Sequence, residues 1–491
     1  MNNFLLKLMP IKRMSDPGVI ILVAVFTVSA FILLTPWIYG HGVGYYAWLR
    51  SLFFDGNLDC TNEFQHYIEI FQKEYGWQGV TDDLTIIRTE TGLQSNKYQL
   101  GSAILWLPFF LIGHLITLLI NTFGGNLAVD GYSKFYVLMI SIGSALYGFI
   151  GLLLAYFLSR KFFSIKISLL ASIGIWFASS TVFYIYLHPS LSHANEIFVV
   201  SLFIYYWYQH AIKGNSLNWA ILGLIGGLML AVRMENVVFC LLPFISLMKK
   251  LKENFTEQKR EKYSQLLYNG LIFLGTLILG FLPQMLVWKA VYGKYILNSY
   301  GAHFVLVHPV LSNEIGDAGT GDTSFFKFLT HPHLFNTFFG SDKGLFLWTP
   351  IIIFSFIGLV ILFKKERILI ASLFITFFTF AYIVSCAGGG GASFGARYLV
   401  RCSLIFILGL AGFMSFLSNK LKSIYLFGFV LLFMIWNNFF IIQYATGMVN
   451  RAGPVNWTKM VRNQFTKVPQ FLLTKGTGFL TERNKSYKNN N

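Results

Sequence analysis

Residues 18–38, GVIILVAVFTVSAFILLTPWI, form an uncharged apolar run about as long as an α-helix needs to cross ~30 Å of hydrocarbon. Lys7, Lys12 and Arg13 precede the run, so the positive-inside rule predicts a first membrane span with a cytoplasmic N-terminus. The run is too long for the core of a signal peptide and lacks a small-residue cleavage pattern, so we expect it to be retained.

Similar apolar runs recur along the whole chain. They lie near 99–123, 134–158, 167–187, 196–212, 219–248, 266–288, 345–363, 368–386, 402–418 and 424–444. Only 12% of the 491 residues are charged, against about 25% in ordinary globular chains. We therefore predict an all-α polytopic membrane protein with about 10–12 membrane segments. Soluble enzymes and disordered scaffolds are excluded.

The formal net charge of +17 indicates topology rather than nucleic-acid binding. The basic residues stand in short runs between apolar segments, as cytoplasmic loops do. The clearest such marker is KKLKENFTEQKREK at 249–262, with six basic and three acidic residues. We expect no nucleic-acid partner.

If all basic runs lie in the cytoplasm, two of the apolar segments cannot each cross the membrane once. Segment 219–248 is predicted to enter and leave on one side as two half-helices that meet around Arg233 and Glu235. Segment 99–123, which contains Pro108, is predicted to dip into the bilayer rather than cross it. Irregular backbone at membrane depth is tolerated where protein surrounds it or where it lines a cavity.

This topology divides the chain into a membrane domain, 1–444, and a basic tail, 445–491. Two large loops, 39–98 and 289–344, are predicted on the outer face. The first carries eight acidic and four basic residues, and its segment 44–54 is predicted to form a helix along the membrane surface. Polar residues concentrated in unequal loops on one face favour chemistry at the outer interface over transport.

Five stretches carry a resemblance to a known superfamily. They are HGVGYYAWLRSLFFDGNLDCTNEF (41–64), NKYQLGSAILWLPFF (96–110), HPSLSHAN (188–195), GSDKGLFLWTP (340–350) and GGGGASFGARYLVR (388–401). Their order resembles that of bacterial GT-C membrane glycosyltransferases, which include protein O-mannosyltransferases and the aminoarabinose transferase that modifies lipid A. The resemblance implies transfer of a sugar from a polyprenyl-phosphate donor, with no other cofactor, to a periplasmic glycan or lipid-linked acceptor such as O-antigen. It also implies a bacterial inner membrane location with the active site facing the periplasm.

The chemistry of such a transfer needs a base for the acceptor hydroxyl and cations for the departing phosphate. The resemblance implies an acidic base just after the first span, but this sequence has His41 at that position. An imidazole can accept a proton at neutral pH. Asp55, Asp59 and Glu63 follow closely, and we rank Asp55 and Asp59 above His41 and Glu63. The alternative for each acid is that it caps the loop helix or binds loop backbone.

Candidates for the phosphate site are basic residues near outer loops. They are Arg397, Arg401, Lys343, Arg233 and Lys289. Arg397 follows a glycine run, 387–395, whose backbone N–H groups could approach an anion, and arginine suits bidentate phosphate contact. The alternative for Arg233 is a structural ion pair with Glu235.

Three further side chains are candidate substrate contacts. His193 could orient acceptor or phosphate, although such histidines often cap helices, and Tyr45 and Tyr46 could stack on sugar or belong to an aromatic belt. No histidine pair has the spacing of a zinc enzyme, so we expect no metal site. The rival functions are a lipid or polysaccharide flippase and an inactive relative of the glycosyltransferases.

Overall fold

The computed structural model describes residues 15–75, 84–211, 215–256, 260–302, 329–386, 393–451 and 455–475. Within these ranges the protein is built from helices and contains no strand, apart from one isolated bridge between Arg88 and Gln94. The predicted all-α fold class is confirmed.

The first half of the chain contains the two loop helices and the first part of the bundle. Its helices are α1 Pro17–Leu33, α2 His41–Arg50, α3 Thr61–Tyr75, α4 Gly101–Thr122, α5 Lys134–Ser159, α6 Ile165–Phe177, α7 His193–Tyr206 and α8 Ser216–Val232. Short π-helical turns extend α2 over Ser51–Asp55 and α7 over Trp207–Ala211, and another precedes α7 at Phe183–Leu187.

The second half completes the bundle and ends on two short amphipathic helices. Its helices are α9 Leu241–Thr256, α10 Arg260–Tyr292, α11 Leu334–Phe339, α12 Leu345–Trp348, α13 Ile351–Phe363, α14 Arg367–Cys386, α15 Ser403–Ser418, α16 Ser423–Ala445, α17 Trp457–Phe465 and α18 Lys467–Lys475. Two 3-10 helices, Met234–Cys240 and Arg397–Cys402, lie before α9 and α15.

Six stretches among the described residues are long and apolar enough to cross a membrane, and four shorter helices are also apolar. One of the six is α4, which runs without a break through Pro108. Its length and composition suit a full crossing, and the dip of segment 99–123 into the bilayer stays a prediction. Proline is tolerated inside apolar membrane helices because the remaining backbone groups keep their intrahelical hydrogen bonds and neighbouring helices support the turn.

The predicted break around Arg233 is confirmed. Helix α8 ends at Val232 and α9 begins at Leu241, with a 3-10 helix between them. The far ends of both half-helices lie beside the same part of α10, because Ser216 donates to Asn269 at 2.8 Å and an added Cβ on Gly270 would lie 3.0 Å from Leu247. The segment thus enters and leaves at one end of the bundle.

Glycines allow the closest helix pairs to form. On α8, a Cβ on Gly223 would lie 2.0 Å from the Thr276 hydroxyl, and one on Gly227 would lie 2.5 Å from the Gly280 backbone. Small residues let helix backbones approach in this way where lipid supplies no hydrophobic driving force. The resulting α8–α10 pair fixes the position of Arg233 at the end of α8.

Helix α2 is enclosed by protein. Residues 42–49 are buried, including Tyr45, Tyr46 and Trp48. The Trp48 indole donates to the Tyr98 carbonyl at 2.8 Å. The large aromatic residues of α2 form a satellite core with Tyr98, and the position of segment 44–54 along the membrane surface stays a prediction.

Several predicted outer segments meet at one end of the bundle. Tyr45 of α2 donates to Ser192, just before α7, at 3.2 Å. Arg233, at the end of α8, donates to Tyr45 at 3.0 Å and to Tyr300, beyond α10, at 2.8 Å. The first loop, the start of α7, the end of α8 and the segment after α10 therefore form one polar region.

Candidate functional site

The acidic residues of the first loop are paired within that loop. Arg50, at the end of α2, donates to Glu63 at 2.8 Å and also contacts Asp55. The Glu63 side chain is fully buried, and its second oxygen, Oε2, has no hydrogen-bond partner among the described residues. Burial raises the pKa of Glu63 to about 7, although its bond to Arg50 acts in the opposite direction.

Asp59 has a different set of partners. Its carboxylate accepts hydrogen bonds from Arg88 at 2.7 Å, from Thr61 at 2.6 Å and from the backbone N–H of Gln94 at 3.2 Å. Burial acts to raise the pKa of Asp59, but these three donors outweigh it and hold the pKa below its ordinary value. Asp59 thus joins α3 to the segment that leads into α4.

The other first-loop candidates also have protein partners. His41 begins α2 and lies with its ring centroid 5.3 Å from that of Tyr98. The Tyr46 hydroxyl donates to the Gly131 carbonyl, and the Tyr45 hydroxyl joins Ser192 to Arg233. Both tyrosines are buried, so their rings face protein atoms.

A buried ion-pair network lies at the start of α7. Glu196 is fully buried and forms an ion pair with Arg401, and it accepts a hydrogen bond from Ser192 at 2.6 Å. Arg233 Nε lies 3.8 Å from Glu196 Oε1, and His193 Nδ1 lies 3.4 Å from the same oxygen. Such charges are costly inside a membrane protein unless they are paired, and here one carboxylate holds two guanidinium groups.

One tyrosine and a second carboxylate extend this network towards the surface. Arg233 Nη2 lies 3.5 Å from Glu235, which is partly exposed. The Tyr398 ring has guanidinium groups nearby, with Arg233 5.7 Å and Arg397 4.8 Å from the ring centroid. Arg397 also donates to the Tyr398 hydroxyl at 2.9 Å. Tyr398 therefore links the buried pair to Arg397.

A cavity of about 420 Å³ opens beside Arg397. Its described lining is mostly polar. It consists of His333, Asn336, Thr337, Gly340, Ser341, Asp342, Lys343, Val384, Ser385, Ser393, Gly395, Ala396, Arg397, Tyr398 and Leu399. The predicted glycine run falls partly on 387–392, which lie outside the described residues. Its last glycine, Gly395, has φ of +56° and lines the cavity.

Two cations face this cavity. Arg397 Nε is buried and has no hydrogen-bond partner among the described residues. Lys343 Nζ lies 3.4 Å from Asp342 Oδ1. Burial lowers the pKa of Lys343, and the nearby Arg397 charge acts in the same direction while Asp342 opposes both. An anion placed between Lys343 and Arg397 would relieve this repulsion.

Four basic side chains and three acidic ones of the described residues lie together in this region. We define the cationic cluster as Arg233, Lys343, Arg397 and Arg401 with the three carboxylates that contact them, Glu196, Glu235 and Asp342. Arginine and lysine at a partly enclosed cavity suit a phosphate or phosphate ester.

The predicted phosphate residues are thus divided. Lys343 and Arg397 share the cavity, whereas Arg233 and Arg401 lie deeper, against Glu196. Lys289 lies elsewhere, at the end of α10, and donates to the Gly293 carbonyl at 2.8 Å. The predicted pairing of Arg233 with Glu235 is present.

The predicted base residues do not line the cavity. The described lining contains none of Asp55, Asp59, Glu63 and His41, and it contains Asp342 instead. Sequence reasoning missed Glu196 and Asp342. A signal for Glu196 was present, since an acid beside a long apolar run requires a partner.

Among the described residues, no group of histidine, cysteine and acidic side chains could hold a metal ion. His303 and His308 lie outside the described residues. His331 is exposed, and its ring accepts or donates a hydrogen bond with Thr330 at 2.9 Å.

Comparisons with known proteins find similarity to a solved structure. No family model and no curated protein matches the chain. The chain is similar to a crystal structure of ArnT from Cupriavidus metallidurans bound to undecaprenyl phosphate, with 12% identity and a TM-score of 0.47. The match covers 96% of this chain and 75% of that chain.

Proposed function

We propose that this protein is an integral membrane glycosyltransferase that moves a sugar from a polyprenyl-phosphate donor to a glycan or lipid-linked acceptor. The observation that carries the proposal is the cavity beside Arg397, which Lys343 and Arg397 line together. The donor phosphate would bind between Lys343 and Arg397. The polyprenyl chain would lie against the apolar helices, several of which expose large hydrophobic side chains.

The cations would serve both binding and chemistry. Charge builds on the phosphate as the bond to the sugar breaks, and preformed donors stabilise such charge strongly in a site with little water. Arg397 is suited to this role because its Nε has no hydrogen-bond partner among the described residues and its Nη2 donates to the Tyr398 hydroxyl. Arg233 and Arg401 would add longer-range positive potential from behind Tyr398. The proposed location is the bacterial inner membrane, with the cavity facing the periplasm and an O-antigen or similar glycan as acceptor.

A two-part experiment tests the proposal. The purified protein in lipid nanodiscs is titrated with undecaprenyl phosphate, and it is then incubated with a panel of polyprenyl-phosphate hexoses and envelope glycolipids from the source organism. We expect saturable binding of undecaprenyl phosphate and transfer of label from at least one hexose donor. Asp55→Asn and Asp59→Asn are included, because the resemblance predicts loss of transfer for a base in the first loop.

The alternatives predict other results. A flippase would bind undecaprenyl phosphate and move the labelled lipid between leaflets of a proteoliposome without forming a glycoside. An inactive relative would bind the lipid but neither transfer sugar nor move the lipid. Absence of binding to undecaprenyl phosphate would contradict the proposed donor class altogether.

A further inference from the structure

A tight turn places one carboxylate, Asp342, and one ammonium group, Lys343, at the cavity. The turn is GSDKG at 340–344, between α11 and α12. The Gly344 N–H donates to the Gly340 carbonyl at 2.8 Å, and the Trp348 indole donates to the Ser341 carbonyl at 3.2 Å. A Cβ on Gly344 would lie 2.5 Å from the Gly340 backbone nitrogen, so the turn requires glycine there. The backbone therefore holds Asp342 in a fixed position.

We propose that Asp342 is the general base that accepts the proton of the acceptor hydroxyl, an inference that rests on the proposed function. Its carboxylate lines the same cavity as Lys343 and Arg397, and among the described lining residues it is the one carboxylate. The side chain is 32% exposed, so an acceptor entering from outside can reach it. A base must lie within hydrogen-bond reach of the proton that it removes.

Five other carboxylates are less suited to this role, and two of them, Glu235 and Asp55, are partly exposed but do not line the cavity. Glu196 and Glu63 have fully buried side chains, and each forms an ion pair with an arginine. Asp59 accepts three hydrogen bonds, which leaves little capacity for an acceptor hydroxyl. Asp342 is accessible from outside and also lies beside the proposed phosphate site, a combination that none of these groups has.

The proposed step balances in bonds and protons. The acceptor oxygen forms a bond to the anomeric carbon while the bond from that carbon to the phosphate oxygen breaks. The electron pair of the broken bond stays on the polyprenyl phosphate, where Arg397 and Lys343 stabilise it. The proton of the acceptor hydroxyl passes to Asp342 and then to solvent. Lys343, 3.4 Å from Asp342, stabilises the ionised carboxylate before the step.

His333 is the competing base in the cavity. It precedes α11, and its imidazole belongs to the cavity lining. A neutral imidazole could also accept the proton. The lining therefore contains two groups that can be tested against each other by substitution.

The test compares variants of the full-length protein in nanodiscs, with the donor that supports transfer by the unaltered protein. For Asp342→Asn we expect kcat to fall by about 100-fold or more while the donor KM stays within about 3-fold. Asp342→Glu should restore part of the rate. Glu69→Gln, which removes an exposed acid of α3 outside the cavity lining, should keep kcat within about 3-fold, and His333→Gln should lower kcat less than Asp342→Asn does. Binding of undecaprenyl phosphate and thermal unfolding establish that each variant folds.

Three outcomes would overturn the inference. Asp342→Asn could retain its kcat, which would exclude a base at this position. The substitution could raise the donor KM with kcat unchanged, which would make Asp342 a positioning residue for Lys343. His333→Gln could abolish transfer while Asp342→Asn does not, which would assign the base to His333. If the unaltered protein transfers no sugar from any donor, the proposed function fails as well, and that result is distinct from all three.

Discussion

The first loop and the cationic cluster both contain buried charges, but they use them differently. In the first loop, Arg50 contacts Asp55 and Glu63, and Arg88 contacts Asp59, so cations and carboxylates satisfy each other. In the cationic cluster, Lys343 and Arg397 face a cavity. Charges that pair with each other inside the protein support its structure, whereas cations that line a cavity are placed to contact a ligand.

The largest effect on stability is expected for Glu196, the fully buried carboxylate of the cationic cluster. Glu196→Ala leaves Arg401 and Arg233 without their shared carboxylate, and breaking a buried pair costs about 3–5 kcal/mol. We expect a fall of this size in the free energy of unfolding, measured by reversible unfolding in detergent micelles. Glu235→Ala is the matched control, because Glu235 contacts Arg233 from a partly exposed position and should cost less than about 1 kcal/mol. Equal losses for the two variants would contradict the central role of Glu196.

The next prediction concerns ligand binding and separates the two regions directly. Arg397→Gln removes a charged donor from the cavity, and hydrogen bonds to charged groups contribute about 1.5–3 kcal/mol. We expect the Kd for undecaprenyl phosphate to rise by about 10–100-fold. Arg88→Ala, which removes a guanidinium from the first loop, should leave this Kd unchanged. A similar loss of affinity in both variants would indicate a general electrostatic effect and no defined phosphate site.

The third prediction uses the opposite pKa shifts of two carboxylates within the first loop. The pKa of Glu63 is raised in the folded protein, so the native state holds a proton that the unfolded state has lost between pH 4.5 and about 7. Its contribution to stability is therefore present at low pH and falls as pH rises through this window, by about 1.4 kcal/mol per pH unit at most. Asp59 has a lowered pKa, so its contribution is present above its unfolded pKa and is lost as pH falls.

Unfolding free energy measured from about pH 2.5 to 7.5 checks this difference, because the Asp59 contribution is lost only below its unfolded pKa of 3.8. Glu63→Gln should flatten the decline at the upper end of the range, because the amide cannot ionise. Asp59→Asn should leave that decline in place and should remove a loss of stability at the acid end. An unaltered decline in Glu63→Gln would show that another group titrates in this window.

The sequence predicted the helical membrane fold and the break at Arg233 because both follow from local chemistry. A long apolar run predicts a membrane helix wherever it stands, and an arginine next to a glutamate inside such a run requires irregular, protein-enclosed backbone. Pro108 is a poor signal of a break, because α4 continues through it and a proline's effect on a helix depends on the helices packed around it. Those neighbours are distant in sequence.

The site could be predicted only in part, for the same reason. Lys343 and Arg397 stood out as basic residues near outer loops, and they do line one cavity. The pairing of Arg50 with Glu63 and Asp55 could not be predicted, because it depends on how α2 and α3 pack. Glu196 and Arg401 are more than 200 residues apart in the chain, so their contact could not be predicted from one sequence.

The smallest effect is expected for the exposed pair of the first loop. The Arg88 side chain is 49% exposed and that of Asp59 is 29% exposed, so water screens their attraction. Exposed ion pairs contribute about 0.2–1 kcal/mol, and Arg88→Ala should lower the free energy of unfolding by no more than this. Arg50→Ala should cost several times as much, because it leaves the fully buried Glu63 carboxylate without its cation. If Arg88→Ala costs as much as Arg50→Ala, the Asp59 pair has a larger structural role than its exposure implies, because it also joins α3 to the segment before α4.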